Sequence, residues 1–302
     1  MQNFNQKPLK VIKGKFREIN VFDIDFVNSN ISAKAVNDFG EEWLKFHSFS
    51  EEELQKFGKL YFDFVGDKVI NSNTYMLDVG CGTGRWSKYL SDKVKFIEAI
   101  DPSKAIFAAD TLLGNIPNVR LSNASTNNIP FEDKTFDFVM SVGVLHHIPD
   151  TKKALADCVA KVKIGGYMYA YIYYAVENRG LIFRGIFNVA NYFRKLFSNS
   201  HHSLKSFLSE LLALFVYLPF VYLGKFFRLI GLKSLAQKLP LSLYQNASYF
   251  IMRNDALDRF NAYENRFTKA EIIQMYKDCG LTDVVISDEN KIHWCALGKK
   301  EK

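Results

Sequence analysis

Residues 77–86 read Leu-Asp-Val-Gly-Cys-Gly-Thr-Gly-Arg-Trp, and this stretch restricts the fold more than any other. A short apolar run at 75–79 enters three glycines at alternate positions, Gly80, Gly82 and Gly84, and helical texture begins at Arg85. Glycines let backbone turn sharply and approach a ligand, and a helix start offers unpaired N–H groups. The spacing is GxGxG, not the GxGxxG of a nicotinamide-binding turn. Asp78 precedes the first glycine, which suits a ligand carrying an ammonium group and would repel a pyrophosphate. Asp101 ends the next predicted strand, 17 residues after Gly84. A carboxylate there can accept hydrogen bonds from both hydroxyls of a ribose.

The chain around this loop alternates. Strands are predicted at 75–79, 94–100, 119–121, 136–141 and 167–174, with helices at 85–90, 103–113 and 151–162 between them. Such alternation implies parallel crossovers and an α/β doubly wound sheet. Upstream, residues 1–70 read as a polar start followed by helices, with Phe39, Trp43 and Phe46 on one face and Leu54, Phe57, Tyr61 and Phe64 on another. Downstream, Thr268 and Glu271 form a capping-box pattern for a helix at 268–279, and strands at 284–287 and 293–296 close the chain. The division expected is an N-terminal helical lid (1–70), a core (71–175 and 254–302) and a helical insertion (176–253).

Charge singles out that insertion. The 302-residue chain has 39 basic and 32 acidic residues, yet ten Lys/Arg and only two Asp/Glu fall between Glu177 and Arg253. A near-neutral body thus holds one basic, aromatic-rich segment. Its longest uncharged apolar run, 211–224, has 14 residues and contains Pro219. A spanning helix needs about 20 apolar residues, so a buried or interfacial helix is expected. Cys81, Cys158, Cys279 and Cys295 form no CxxC pair, which disfavours a disulfide framework or a metal site. No apolar run follows Lys7, Lys10, Lys13 and Lys15, so no secretory signal is read and a cytoplasmic setting is expected.

With these motifs assembled, residues 74–175 resemble the class I S-adenosylmethionine-dependent methyltransferases, in the branch typified by quinone biosynthesis. LDVGCGTGRW matches the first family motif and AIDPS the second; SNASTNNIPF and FDFVMSVGVLHHIPD match the third and fourth. KVKIGGYMYAYIYY matches the turn before strand five, with Ile164 where the family usually has proline. The resemblance implies a Rossmann-like seven-stranded sheet of order 3-2-1-4-5-7-6 with strand 7 antiparallel. It implies S-adenosylmethionine as cofactor, held by Asp78, Gly80, Cys81, Gly82, Thr83, Gly84, Trp86, Asp101, Pro102, Ser103, Ser125, Thr126, Ser141 and Val142. The acid usual in the family after strand three is absent; Ser125 aligns with it, with Asn123 nearby.

Methyl transfer from a sulfonium needs positioning, and a base only where the acceptor must lose a proton. The place after strand four reads Ser-Val-Gly-Val-Leu-His-His rather than the Asn/Asp-Pro-Pro-aromatic motif of enzymes that methylate base amines, which disfavours a base-amine acceptor. His146 and His147 fall near the sulfonium by family analogy, and histidine is the natural base near neutral pH. Structural packing is the competing role for each.

An insertion after strand five lies at the carboxyl edge of the sheet, where ligands bind in this fold class. Acceptor contacts are therefore expected from Tyr174, Asn178, Arg179, Tyr244, Arg253, Asp258, Arg259 and Arg266, with Arg179, Arg253 and Arg266 able to clamp phosphate or carboxylate. Ordinary salt bridges on a solvated face are the alternative. FGEEWLKF, YYAVENR, MRNDALDRF and ENRFT also resemble bacterial methyltransferases encoded among cell-surface polysaccharide genes.

The expected acceptor is a small or lipid-linked molecule, a glycan precursor ahead of a quinone-like ring. Nucleic acid is disfavoured, because the basic residues sit among apolar runs rather than on a nucleic-acid-binding module. Peripheral contact with the inner membrane surface and a homodimer through the insertion are both compatible with the basic segment. A non-catalytic binding subunit is the rival of another class, disfavoured by the intact Asp78, glycine triad and Asp101.

Overall fold

The computed structural model describes residues 2–45, 50–177, 180–198, 200–260, 264–287 and 293–301. The chain opens with two short strands, β1 (Lys10–Lys13) and β2 (Glu18–Val21), and two helices, α1 (Ala33–Lys45) and α2 (Glu51–Phe62). It then alternates: β3 (Tyr75–Val79), α3 (Arg85–Leu90), β4 (Phe96–Ile100), α4 (Ala105–Leu112), β5 (Val119–Asn123), β6 (Phe136–Val142), α5 (Thr151–Lys161) and β7 (Val162–Tyr173). The insertion supplies α6 (Leu181–Phe197), α7 (His202–Leu212), α8 (Leu218–Leu229), α9 (Lys233–Lys238) and α10 (Tyr249–Asp258). The chain closes with α11 (Lys269–Asp278), β8 (Leu281–Ser287) and β9 (His293–Lys300).

Two compact units result, one from residues 1–178 with 263–302 and one from 179–262. The first unit is built on one nine-stranded sheet of order β1-β2-β5-β4-β3-β6-β7-β9-β8. The seven strands β3 to β9 run in the order 3-2-1-4-5-7-6, with β9 antiparallel to both neighbours. β3 has no exposed residue because sheet and helices cover both of its faces.

Three expectations change. The N-terminal segment is not wholly helical: β1 and β2 pair antiparallel, and β2 joins β5 in parallel through Asn20–Ser122 and Val21–Asn123, so the sheet has nine strands. Arg17 anchors this edge by donating to the carbonyls of Val119, Leu113 and Ile116. The Ile164-Gly165-Gly166 stretch lies inside β7 rather than before it. The register with β6 shifts at Phe136/Phe138, Gly165 has φ +82°, and a Cβ at Gly166 would meet the Asp137 carbonyl at 2.7 Å. Those glycines therefore make a bulge, which local pattern does not separate from a turn. Lastly, α7 continues through a π turn (Ala213–Tyr217) into α8, giving one helix, Ser203–Leu229, of 27 residues. It is long and apolar enough to cross a membrane by length and composition. The wider turn ahead of Pro219 absorbs the lost N–H, so the proline does not end the helix.

The expected start of α11 is present in full: Thr268 accepts from the Glu271 N–H, and Glu271 accepts from the Thr268 N–H. α2 begins the same way, with Ser50 and Glu53. Phe46 lies outside the described residues.

Candidate functional site

The glycine loop closes the carboxyl end of β3. Gly80, Gly82 and Gly84 all have positive φ, at +76°, +55° and +80°. The Gly80 and Cys81 N–H groups donate to the Ile100 carbonyl at 2.8 and 3.0 Å, and Gly84 donates to Cys81 at 2.8 Å. A Cβ at Gly80 would sit 2.5 Å from Val144, and one at Gly84 would sit 2.6 Å from Leu113. At Gly82 nothing comes closer than 3.9 Å. Two glycines are thus required by packing, while the third leaves open space above the backbone.

Asp101, one residue beyond β4, faces the loop. Its Oδ2 accepts from the Gly82 N–H at 2.9 Å, and its Oδ1 accepts from the Ser103 N–H and Oγ at 2.8 and 2.6 Å. Burial raises its pKa, opposed by the donors on Ser103 and Gly82. Asp78 is fully buried and accepts from Ser87 Oγ at 2.7 Å. Burial pushes its carboxyl up to about 7 against the pull of that hydroxyl. Thr83 is buried within the loop, and Pro102 and Ser103 form the bend after β4. Ser141 Oγ donates to the Val79 carbonyl at 3.0 Å, tying β6 to β3 beside Val142. Ser125 and Thr126 are buried after β5, where Ser125 Oγ bonds Asn127.

Two members of the expected cofactor set have their side chains in the core. The Cys81 and Trp86 side chains belong to the main hydrophobic core, with Trp86 packed 5.0 Å from Tyr61 and 5.9 Å from Phe62, ring to ring. The side chain at the second residue of α3 points back over the preceding turn, which here is the core.

Next to the loop lies a cluster of imidazoles and phenols. His146 and His147 are both buried, in a short 3₁₀ turn (Leu145–His147) after β6. The His146 ring stacks on Tyr173 at 4.0 Å and lies 4.2 Å from His147. His293 stacks on Tyr171 at 4.2 Å and meets Tyr61 at 5.1 Å. Phe39 packs on His147 at 4.7 Å. Among the described residues, neither His146 ring nitrogen has a well-formed hydrogen bond. Burial lowers its pKa well below the usual value, and His147 and Arg266 add to that effect. Burial alone takes His293 down to about 3. Both shifts favour the neutral imidazole at His146 and His293.

Tyr61, Tyr171 and His293 were missed as site residues. A signal existed: Tyr167, Tyr169, Tyr171 and Tyr173 alternate along β7, which places four phenols on one face. His293 sits opposite Tyr173 in the β7–β9 register, a pairing that local sequence does not show.

The expected acceptor residues divide between the two units. In the first, Arg266 pairs with Glu264 at 2.7 Å, donates to the Tyr174 carbonyl at 3.2 Å and lies over the Tyr173 ring at 4.9 Å. In the second, Arg253 pairs with Glu210, and Arg259 pairs with Asp255 at 3.2 Å. Tyr217 donates to Asp255 and packs against Tyr244 at 5.4 Å. Burial works against ionisation of Asp255, yet Arg259, Tyr217 and Tyr244 hold it below its usual pKa. Of the arginines expected to clamp an anion, Arg253 and Arg266 each have a carboxylate partner within their own unit. Asn178, Arg179 and the side chain of Asp258 lie outside the described residues.

A family model described as a methyltransferase domain matches residues 77–170. The match begins on the strand that carries Asp78, runs through the glycine loop and Asp101, and ends inside β7. These residues carry a methyltransferase domain. The domain is 31% identical over 109 residues to an uncharacterized methyltransferase of Mycobacterium tuberculosis, covering 35% of this chain and 55% of that protein. It is 26% identical over 186 residues to the ubiquinone biosynthesis O-methyltransferase of Hahella chejuensis, covering 60% of this chain and 76% of that one. This chain thus spans about half the length of the mycobacterial relative and three quarters of the Hahella enzyme. The fold of the methyltransferase domain is also that of human N-acetylserotonin methyltransferase in complex with S-adenosylmethionine, at a TM-score of 0.50 and 14% identity over 87% of this chain and 57% of that one.

Proposed function

We propose that this protein transfers a methyl group from S-adenosylmethionine to a hydroxyl of a small or lipid-linked acceptor bearing a planar ring. The observation that carries the cofactor is the tie between Gly82 and Asp101 under open space, with a buried acid behind it. Asp101 keeps one lone pair, on Oδ2, for a ribose hydroxyl after accepting its three internal bonds. Asp78 supplies negative charge on the side where an ammonium and a sulfonium would lie. When bound, the cofactor provides an electrophilic methyl carbon. The chain's own contribution is to align the acceptor, exclude water and take up one proton.

The cluster of His146, His147, Tyr171, Tyr173 and His293 supports a ring-bearing acceptor, because stacked phenol and imidazole faces receive a planar ring. A neutral His146 has one ring nitrogen with a lone pair, which can accept a hydroxyl proton. The quinone-pathway function of the Hahella relative agrees with such an acceptor. A glycan precursor is the second reading, favoured by the sequence blocks FGEEWLKF, YYAVENR and MRNDALDRF.

Methyl-labelled S-adenosylmethionine incubated with the protein and a cell extract tests both. Label entering an organic-phase compound with aromatic absorbance supports the ring acceptor. Label released with acid-liberated sugar supports the glycan. No transfer to any fraction, with S-adenosylhomocysteine still bound, overturns the enzymatic reading and leaves a binding subunit.

A further inference from the structure

The helix Ser203–Leu229 in the second unit is built inside out. Lys205, Ser209, Ala213, Tyr217, Val221 and Gly224 recur every three or four residues, and all are buried. Ala213, Tyr217 and Val221 form a small core with Met252 and Ala256 of α10. Gly224 is required there: a Cβ would sit 2.0 Å from the Gln245 side chain, which itself donates to the Ala236 carbonyl. The large side chains point the other way. Leu204, Phe207, Phe215, Tyr222, Phe226 and Leu229 form a stripe whose exposures run from 42% to 84%. A helix on a water-soluble surface does the reverse, with its apolar stripe inward. At 1.5 Å per residue the 27-residue helix is about 40 Å long, so the exposed strip is larger than an isolated apolar side chain would explain.

The charge pattern names the occupant. From Leu211 to Asn254 there is no acidic residue. The helix is uncharged from Leu211 to Gly224; the exposed cations Lys225, Arg228, Lys233 and Lys238 then gather at its C-terminal end and on α9. Glu210 is taken by Arg253 and Tyr249. An apolar strip ending in unopposed cations complements a surface with hydrocarbon beneath and anionic groups above. Spanning is a poor fit, although the helix is long enough. α10 packs on α7 and the π turn, so a span would draw the Glu210–Arg253 and Asp255–Arg259 pairs into hydrocarbon. Lying in the plane immerses only the outward strip.

We propose that the second unit docks in plane on an anionic lipid surface, with the Leu204–Leu229 strip in the acyl boundary and Lys225, Arg228, Lys233 and Lys238 among the headgroups. The proposal stands on this unit alone and is independent of the methyl-transfer reading.

Flotation of the full chain with vesicles of phosphatidylglycerol or of phosphatidylcholine tests it. Flotation on phosphatidylglycerol should exceed that on phosphatidylcholine by about tenfold at low salt and fall as salt rises. Phe215→Ser with Phe226→Ser should cut anionic binding about tenfold or more. Lys225→Gln with Arg228→Gln should remove the anionic preference and keep weak neutral binding. Both sites are exposed, so unchanged thermal melts are expected and separate lost docking from lost folding. Three results overturn the proposal: wild-type protein that does not float on phosphatidylglycerol; a dimer in sedimentation equilibrium that the Phe215/Phe226 variant dissociates without any vesicle binding; or a membrane-bound form resisting alkaline extraction, which would mean a span.

Discussion

The Gly82 N–H donates to Asp101 Oδ2 at 2.9 Å, so the glycine loop after β3 and the bend after β4 form one cradle. The same carboxylate is fixed on its other oxygen by Ser103. Its orientation is set before any ligand arrives, which reduces the ordering cost of binding.

Asp101→Ala should weaken binding of S-adenosylmethionine and S-adenosylhomocysteine by about 1.5–3 kcal/mol, the range for losing hydrogen bonds to a charged group. Titration calorimetry of the variant checks this. Equal affinity would remove Asp101 from the site.

Gly80 and Gly82 should respond differently to alanine. At Gly80 the added methyl meets Val144 at 2.5 Å on top of a positive φ, so the thermal melt should drop clearly. At Gly82 the space is open, so stability should fall by only about 1–2 kcal/mol for the left-handed backbone. Cofactor affinity should nevertheless be lost there, because the methyl fills the cradle. Melting curves paired with calorimetry separate the two effects.

Asp78 gives a pH dependence with a defined sign. Its carboxyl is pushed up to about 7 by burial, so it is ionised above that pH and neutral below it. Affinity for the cationic cofactor should therefore rise as pH increases from 6 to 8. Stability of the ligand-free protein moves the other way. A raised folded-state pKa contributes stability that is complete below the unfolded value of about 4 and is lost as pH climbs to about 7. Asp78→Asn should thus raise the melting temperature at pH 8 while abolishing cofactor binding. A variant less stable at pH 8 than the parent would contradict the assignment.

Replacing His146 with alanine should lower turnover on the true acceptor by about 10²–10⁴, the usual worth of a general base, with cofactor affinity unchanged. Since burial keeps His146 neutral, its own titration should leave no inflection in the rate profile near pH 6.5. His147 is tested in parallel, because its ring lies 4.2 Å from His146. Full activity in both single variants would mean that positioning alone drives the displacement.

Much of the cradle was legible because its signals are local. The glycines, Asp78 and the capping box of α11 each need only neighbours a few residues away, where backbone rules act directly. Asp101 was legible because strand lengths in an alternating sheet place the next strand end within a narrow window. β1 and β2 were not legible: each has four residues, too few for a period-2 pattern, and their place in the sheet depends on Arg17 reaching carbonyls about a hundred positions away.

The sequence by itself determined the fold class, the ligand-facing loop and the presence of one basic, aromatic insertion. Only the tertiary structure decided what the charges and the apolar helix do. Arg253 and Arg266 read as anion receptors until Glu210 and Glu264 are seen beside them. The 203–229 helix is apolar nearly all round, so periodicity does not tell which face turns inward. Packing against α10 and Gln245 put Ala213, Tyr217, Val221 and Gly224 on the inside, and that choice turned Phe207, Phe215 and Phe226 out.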